Sequence, residues 1–367
     1  MNILAVLILE CIAGFVLFSR VLLSKPNKPI HQTYKVSVII PARNEEKNLP
    51  IILESLKKQT YAPYEIIVVD DYSTDNTYEI AKQYGVKVIR NTTLPDGWTG
   101  KNWAVWNGFI NSSGDILIFL DADVKLAPHA IESLLISREK SGGVISVVPY
   151  HYMAKFHEKL SLVTYLLGVL AFTSPFERRN NRKGLYGSCI VAKREDYVKI
   201  NGHSSIKGEV LDDLNLGKKF GECGINVDNF IGYGSVFFRM YPNGLNSQIQ
   251  GFSKSAVLST ATLTPLTILF IALWVLGLFS VELITPFLLY FTHPLALPFL
   301  LGYFIYTAQI IYFLKYTGNY GRLMPLVHFL SSIFFIYIML YSAYQVMFLG
   351  SVSWKGRKIN VRGRMES

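Results

Sequence analysis

Apolar residues are bunched along this chain. They fill residues 1 to 23 and again about 256 to 350, and between them short apolar runs alternate with amphipathic ones. In YKVSVIIPARNEEKNLPIILESLKKQ a β-rich run stops at Pro41 and a helical pattern follows. EIIVVDD is a second apolar run, YGVKVIR a third and GDILIFLDADV a fourth. Continuous apolar strands separated by helical stretches predict an α/β fold whose mostly parallel sheet is buried on both faces. Ligands of such sheets bind outside the carboxyl ends of the strands, and PARNEE, DDYSTD and DADV all fall there.

The flanking segments predict a membrane. The first, residues 1–23, lacks the basic start and the small-residue cleavage site of a secretory signal, so it reads as an uncleaved transmembrane anchor. Residues 256–314 are almost uncharged and long enough for two generous spans or three tight ones, and 323–350 adds one more. An even number would leave both the central domain and the tail on one side, which favours four, whereas Pro286, Pro294 and Pro298 could instead mark a re-entrant turn. Within the central domain, residues 158–176 form an apolar stretch ended by Pro175. It is too short for a comfortable span and reads as an interfacial helix, with a buried core helix as the alternative.

Composition agrees with this division. Half of the 367 residues are hydrophobic and mean hydropathy is positive, which a soluble enzyme of this length seldom shows. The formal net charge is +10, and basic residues follow the apolar segments: Lys25, Lys28 and Lys35, then Lys355, Arg357, Lys358, Arg362 and Arg364. Positive flanks stay in the cytosol against anionic lipid, and their placement at membrane ends argues against a nucleic-acid partner. Cys11, Cys189 and Cys223 form no CxxC pair and read as reduced, structurally neutral thiols.

Candidate chemistry lies at the strand ends. Asp121-Ala-Asp123 follows the strand DILIFL directly, and carboxylate pairs of this kind suit hard cations such as Mg²⁺ or Mn²⁺ on a diphosphate; the plain alternative is a helix cap or a solvated turn. Asp70 and Asp71 sit where a strand becomes a loop, while Ser73 and Asp75 read as caps of the next helix. Asp212 and Asp213 open a helical stretch, where the macrodipole alone favours acids.

IIPARNEE, VVDDYSTD, the GK of GWTGKNWAVWNG and LDADV occur in the order and at approximately the spacings of family 2 glycosyltransferases. The resemblance covers about residues 36–255. SVVPYHYMAKFHEKLS and VSWKGR are similar to the branch that glycosylates carotenoid acids and other hydrophobic lipids. The resemblance implies a GT-A domain at 36–255, between the anchor and C-terminal transmembrane helices at 256–350, with a basic cytosolic tail at 351–367. It also implies that Pro41, Asn44 and Glu45 line the nucleotide pocket and that Asp70 contacts the base. Lys101 would approach the diphosphate, Asp121 the ribose side, and Asp123 with Asp121 the Mg²⁺ or Mn²⁺ ion. GEVLDDLNLG resembles the family's acidic motif, with Asp213 as catalytic base and Asp212 where Glu is usual. GLYGSCIVAKREDYVKINGH resembles the acceptor-side loop, which makes Gly187, Ser188 and His203 candidate acceptor contacts, although a lone histidine is more often structural.

Inverting transfer to an alcohol needs one carboxylate to take the acceptor proton, while the leaving diphosphate is stabilised without a second protein acid. A carboxylate acceptor is already a nucleophile, so retention of the acidic pair leans towards a hydroxyl. The expected partners are a nucleotide-sugar donor, with a UDP-sugar the favoured type, and a lipid acceptor: a carotenoid or hopanoid-like lipid, a glycerolipid or a polyprenyl phosphate. The expected location is the cell membrane, multi-pass, with the catalytic domain cytoplasmic. A processive polysaccharide synthase is the first alternative, but the QxxRW string of those enzymes does not occur. A non-enzymatic transporter is the second, and beyond Glu10, Glu282 and a few histidines the apolar segments carry few of the ionisable groups it needs.

Overall fold

The computed structural model describes residues 3–26, 34–209, 211–254 and 262–349, together with the backbone of Ser351–Trp354 and Arg357–Asn360. Of the basic flanks, Lys28, Lys355, Arg362 and Arg364 lie outside the described residues. The chain divides into two compact units: residues 21–151 with 179–239, and residues 1–20 with 152–178 and 240–367.

The first unit is built on strands β1 (Val36–Ala42), β2 (Glu65–Asp70), β3 (Lys87–Arg90), β4 (Ile116–Leu120), β5 (Val124–Leu126), β6 (Val144–Val148), β7 (Tyr150–Tyr152), β8 (Cys189–Lys193), β9 (Val227–Ile231) and β10 (Val236–Phe238). Seven form one sheet in the order β3-β2-β1-β4-β8-β6-β9, parallel except where β8 runs against β4 and β6. The four apolar runs read from the sequence are β1 to β4, and all of β4 is buried, as a sheet covered on both faces requires. A smaller ribbon pairs β10 with β7 and with β5.

Register explains why the acidic motifs meet. Parallel pairing sets Ala42 of β1 beside Asp70 of β2 and Ile39 of β1 beside Phe119 of β4, so PARNEE, DDYSTD and DADV leave the sheet at one edge. The antiparallel strand β8 pairs its first residue, Cys189, with Leu120, and the Asp121 N–H donates to the Ser188 carbonyl at 3.0 Å. A loop far downstream in the sequence is thereby carried to the end of β4. Ile39, Phe119, Tyr197, Leu216 and Phe220 share one buried cluster beneath this edge, each side chain contributing about 1.5–3 kcal/mol.

In the second unit, three helices are long and apolar enough to cross a membrane among the described residues: Pro265–Tyr290, Ala296–Thr317 and Phe329–Leu349. Two of them come from the 256–314 stretch and one from 323–350. Pro286 lies inside the first helix, Pro294 in the turn that follows it, and Pro298 in the opening turn of the second, so these prolines accompany a helix–helix connection. The N-terminal segment is helical over Ile3–Leu17, and Gln309 ties it in by donating to the Cys11 carbonyl at 2.7 Å while accepting from the Trp274 indole at 2.7 Å. The stretch 158–176 resolves into Leu162–Thr173 and a short 3₁₀ turn, Pro175–Glu177. Leu162, Val163, Leu166, Val169 and Leu170 are all buried, so this helix is covered by neighbouring helices of its own unit on more than one face.

Candidate active site

At the carboxyl edge of the sheet is an open cleft whose polar lining is Lys101, Asp121, Asp212, Asp213 and His203, with Pro41 and Gly187 beside them. Each group arrives by a different route. Lys101 lies in the first turn of the helix Gly100–Ile110, capped by Thr99, whose hydroxyl accepts from the Asn102 N–H at 3.3 Å. That helix presses on the sheet at Gly108, where a Cβ would collide with Ile39 of β1. Asp121 directly follows β4. Asp212 and Asp213 open the helix Asp212–Glu222, where their charge is favoured by its N-terminus.

Lys101 organises the charges. Its Nζ stands 3.1 Å from Asp121 Oδ1 and 3.6 Å from Asp212 Oδ2, so one ammonium bridges the strand-end acid and the helix acid. Burial alone would lower the lysine's pKa; Asp121, then Asp212 and Asp213, outweigh it and raise it above the ordinary value. Asp213 is held separately: Oδ2 accepts from the Gly187 N–H at 3.0 Å and Oδ1 from the Leu214 N–H at 3.0 Å. A Cβ on residue 187 would come to 2.9 Å from Asp213 Oδ2 and would push this carboxylate aside.

His203 lies in the 3₁₀ turn Gly202–Ile206 and is 4% exposed. Burial pushes its pKa down to about 4, with Asp212 and Lys101 acting in opposite directions, so the ring is neutral near pH 7.

Residues 37–200 match the family described as glycosyl transferase family 2. The chain is 38% identical to the 4,4'-diaponeurosporenoate glycosyltransferase of Staphylococcus haemolyticus over 279 residues, 73% of this chain and 74% of that protein. The chain is a family 2 glycosyltransferase. It is also 31% identical, over 89% of its length and 88% of the relative's, to the 4,4'-diaponeurosporenoate glycosyltransferase of Staphylococcus aureus strain USA300. The glycosyltransferase shares its fold, of the GT-A type, with a mannosyltransferase from Pyrobaculum calidifontis solved with GDP-Man and Mn²⁺, at a TM-score of 0.53 and 15% identity over 94% of this chain and 95% of that one.

Of the residues singled out in the sequence, Pro41, Lys101, Asp121, Gly187, His203 and Asp213 line the cleft of this glycosyltransferase, with Asp212 among them. Asn44, Glu45, Asp70, Asp123 and Ser188 do not form its lining. Asn44 sits at φ 55, its N–H donating to Ser73 Oγ at 2.9 Å and its Oδ1 accepting from the Thr74 N–H at 2.8 Å. The Glu45 N–H donates to Thr77 Oγ1 at 2.7 Å. These bonds lace the loop after β1 to the loop after β2. Asp70 is fully buried, with Oδ1 accepting from the Ser73 N–H at 3.2 Å and Oδ2 3.6 Å from Arg90. Asp75 stands one residue before the next helix's N-cap, Asn76, and its Oδ1 accepts from the Thr77 N–H at 3.0 Å, while the Ser73 hydroxyl accepts from the Asn44 N–H instead of capping that helix. Burial would raise the pKa of Asp75, but the bonds from Thr77 and Glu46 lower it.

Two residues escaped the sequence reading. Asn102 is fully buried and its Nδ2 reaches the carbonyls of Ile206, Lys207 and Glu209 at 2.9, 3.2 and 3.3 Å, clamping the segment that leads into Asp212. Tyr197 is fully buried and bonds His203 twice. Asn102 acts on partners more than a hundred residues away, and Tyr197 acts on one six residues on, in a contact that no linear pattern marks.

Proposed function

We propose that this glycosyltransferase moves one sugar from a UDP-sugar to a hydroxyl of a hydrophobic membrane lipid related to the carotenoid acids, with inversion at the anomeric carbon. The observation that carries this reading is the Lys101 bridge between Asp121 and Asp212, with Asp213 fixed beside Gly187 in the same cleft. The relatives' names supply the acceptor class.

Lys101 gives the donor's diphosphate a cationic partner on one side of the cleft, at a cost limited to exchanging carboxylate for phosphate oxygens. Asp213, oriented by two backbone N–H groups, is the group placed to accept the proton of an acceptor hydroxyl. A second reading concerns the acceptor oxygen alone: the relatives' substrate is by its name a carboxylate, which needs no base, and for such an acceptor Asp213 would order the cleft without moving a proton.

Among the described residues no cluster of three or more His, Cys, Asp or Glu side chains stands ready to hold a metal unaided. The donor set nonetheless fits a divalent cation of the Mg²⁺ class, which binds through one or two carboxylates and completes its shell with substrate phosphate oxygens and water. Asp121 and Asp123 are the carboxylates that would hold it. When bound, such an ion neutralises charge developing on the leaving diphosphate.

Multi-pass insertion with this unit in the cytoplasm is part of the proposal. It is supported by the three apolar helices and by the basic residues after the N-terminal helix, Arg20 and Lys25. Membranes carrying the chain, incubated with radiolabelled UDP-sugars and 4,4'-diaponeurosporenoate with Mn²⁺ or chelator and then extracted with organic solvent, test the reading. Metal-dependent label in the lipid phase that disappears in Asp123→Ala is the expected result. Label confined to insoluble polymer would transfer the assignment to a polysaccharide synthase.

A further inference from the structure

The His203 ring is fixed by a hydroxyl that has no other use. Tyr197 Oη accepts the backbone N–H of His203 at 3.0 Å and lies 2.7 Å from His203 Nδ1. Tyr197 is fully buried, and burial raises its pKa, so it is a phenol carrying its proton. Among the described residues no other acceptor is within hydrogen-bonding reach of Tyr197 Oη. If Nδ1 carried the imidazole hydrogen, the hydroxyl would face two donors and leave its own hydrogen unsatisfied inside the core, which buried polar groups avoid. The hydrogen therefore runs from Tyr197 to Nδ1, and the imidazole hydrogen is on Nε2.

The backbone is adapted to this bond. Gly202 has φ 45, and a Cβ there would enter the Tyr197 ring; Asn201 before it is also left-handed, at φ 55. Phe119 stands against the imidazole with centroids 5.6 Å apart, and Tyr197 packs on Phe119 at 5.1 Å. His203 nevertheless lines the cleft beside Lys101, Asp121 and Asp212.

We propose that His203 presents an Nε2–H donor to the cleft, with Tyr197 as its positioning residue, and that this donor reads a lone-pair oxygen on one of the two reactants. The proposal rests on the glycosyl-transfer reading for its ligand, and on the Tyr197–His203 geometry for its chemistry. Burial supports it by holding the ring neutral through the physiological range, between the flanking charges of Asp212 and Lys101. A fixed N–H favours hydroxyl, carboxylate or ester oxygens and disfavours a group with no lone pair to offer, such as an ammonium. The oxygen belongs either to the transferred sugar or to the acceptor, and kinetics separates them.

The test uses the full chain in lipid nanodiscs with ¹⁵N-labelled histidine. The His203 resonances are assigned by their loss in His203→Gln, and all variants are first checked for wild-type thermal stability. The expected spectrum at pH 6 to 8 has a protonated Nε2 and a bare Nδ1, and Tyr197→Phe returns the ring to mixed tautomers. An Nδ1–H ring or an imidazolium at pH 7 overturns the proposal, whether or not any sugar is transferred. In kinetics with UDP-glucose, UDP-galactose or UDP-N-acetylglucosamine as donor and 4,4'-diaponeurosporenoate as acceptor, His203→Phe is expected to lose on the order of tenfold to hundredfold in kcat/KM, and His203→Gln, which keeps an N–H near the same place, to recover most of it. A rise in KM for the UDP-sugar assigns the oxygen to the sugar, and a rise for the lipid assigns it to the acceptor. Unchanged kinetics in His203→Phe with a working donor overturns the reading role even if the tautomer is as stated.

Discussion

Lys101 is held by two carboxylates that belong to different elements, so its removal disturbs both. Lys101→Met leaves Asp121 and Asp212 without the counter-charge between them and, on the proposed function, deprives the donor diphosphate of a cation. A fall in kcat/KM of about 10²–10³ is expected, the range for loss of one group that stabilises developing charge. Steady-state transfer to lipid checks it, and wild-type turnover in Lys101→Met would remove the lysine from the mechanism. His203 makes a prediction about stability instead. Folding lowers its pKa from 6.5 to about 4, so between these values the unfolded chain binds the extra proton. Stability is therefore complete above about pH 6.5 and is lost as pH falls towards 4, by up to about 3 kcal/mol, and His203→Gln flattens that slope. Thermal melts of both proteins between pH 4 and 7.5 measure the difference. At this scale the sequence disclosed the groups whose chemistry is in their type and position: Asp121 after an apolar strand, the acidic pair at a helix start, the lysine after Gly100. It did not disclose Asn102 or Tyr197, because an asparagine and a tyrosine acquire meaning only from partners brought to them by folding. Asn44 was legible by position, and the structure adds that it ties the loop after β1 to the loop after β2, with the Glu45 N–H beside it, while Asp70 bonds within its own loop and faces Arg90.

The elements that deliver these residues are set by close approaches. Gly187 lets the segment before β8 reach Asp213, and the register of β8 against β4 puts that segment beside Asp121. Gly187→Ala inserts a methyl group 2.9 Å from Asp213 Oδ2, so the carboxylate must turn away. The expected outcome is a loss of about tenfold or more in kcat with little change in melting temperature, since a misplacement near 1 Å at a reacting group costs up to about a hundredfold. A Gly187→Ala protein with full activity would show that Asp213 need not stay where the glycine holds it. Asn102→Ala removes the side-chain contacts to the 206–209 segment, while the Ile206 and Lys207 carbonyls keep N–H donors from Glu209 and Thr99, so a cost of about 1 kcal/mol of stability is expected in a denaturant titration. The order β1 to β4 was legible because each strand is a short apolar run ended by polar residues. The antiparallel insertion of β8 was not, because a strand's direction depends on its neighbours and leaves no periodic mark of its own.

For the whole molecule, the division into a sheet unit and a helical unit follows the division of apolar sequence, and the number of long helices does not follow from length alone. The nearly uncharged stretch 256–314 admits two or three spans. The two helices observed there are fixed by where the chain turns, at 291–295, and by packing against the helix Ile3–Leu17. That packing leaves no room at Gly14, where a Cβ would run into Trp274, so Gly14→Leu is expected to cost about 1–3 kcal/mol or more and to lower the melting temperature in detergent. The proposed function rests on one cleft, in which a lysine bridge and an oriented aspartate meet. The most direct measurement is the single-turnover rate of label transfer from UDP-sugar to a hydroxyl-bearing lipid by Asp213→Asn, with UDP affinity determined on the same preparation. Near-normal UDP binding with a transfer rate lower by about 10²–10⁴ is expected; an Asp213→Asn protein that binds UDP and transfers at the wild-type rate would contradict the role given to this carboxylate.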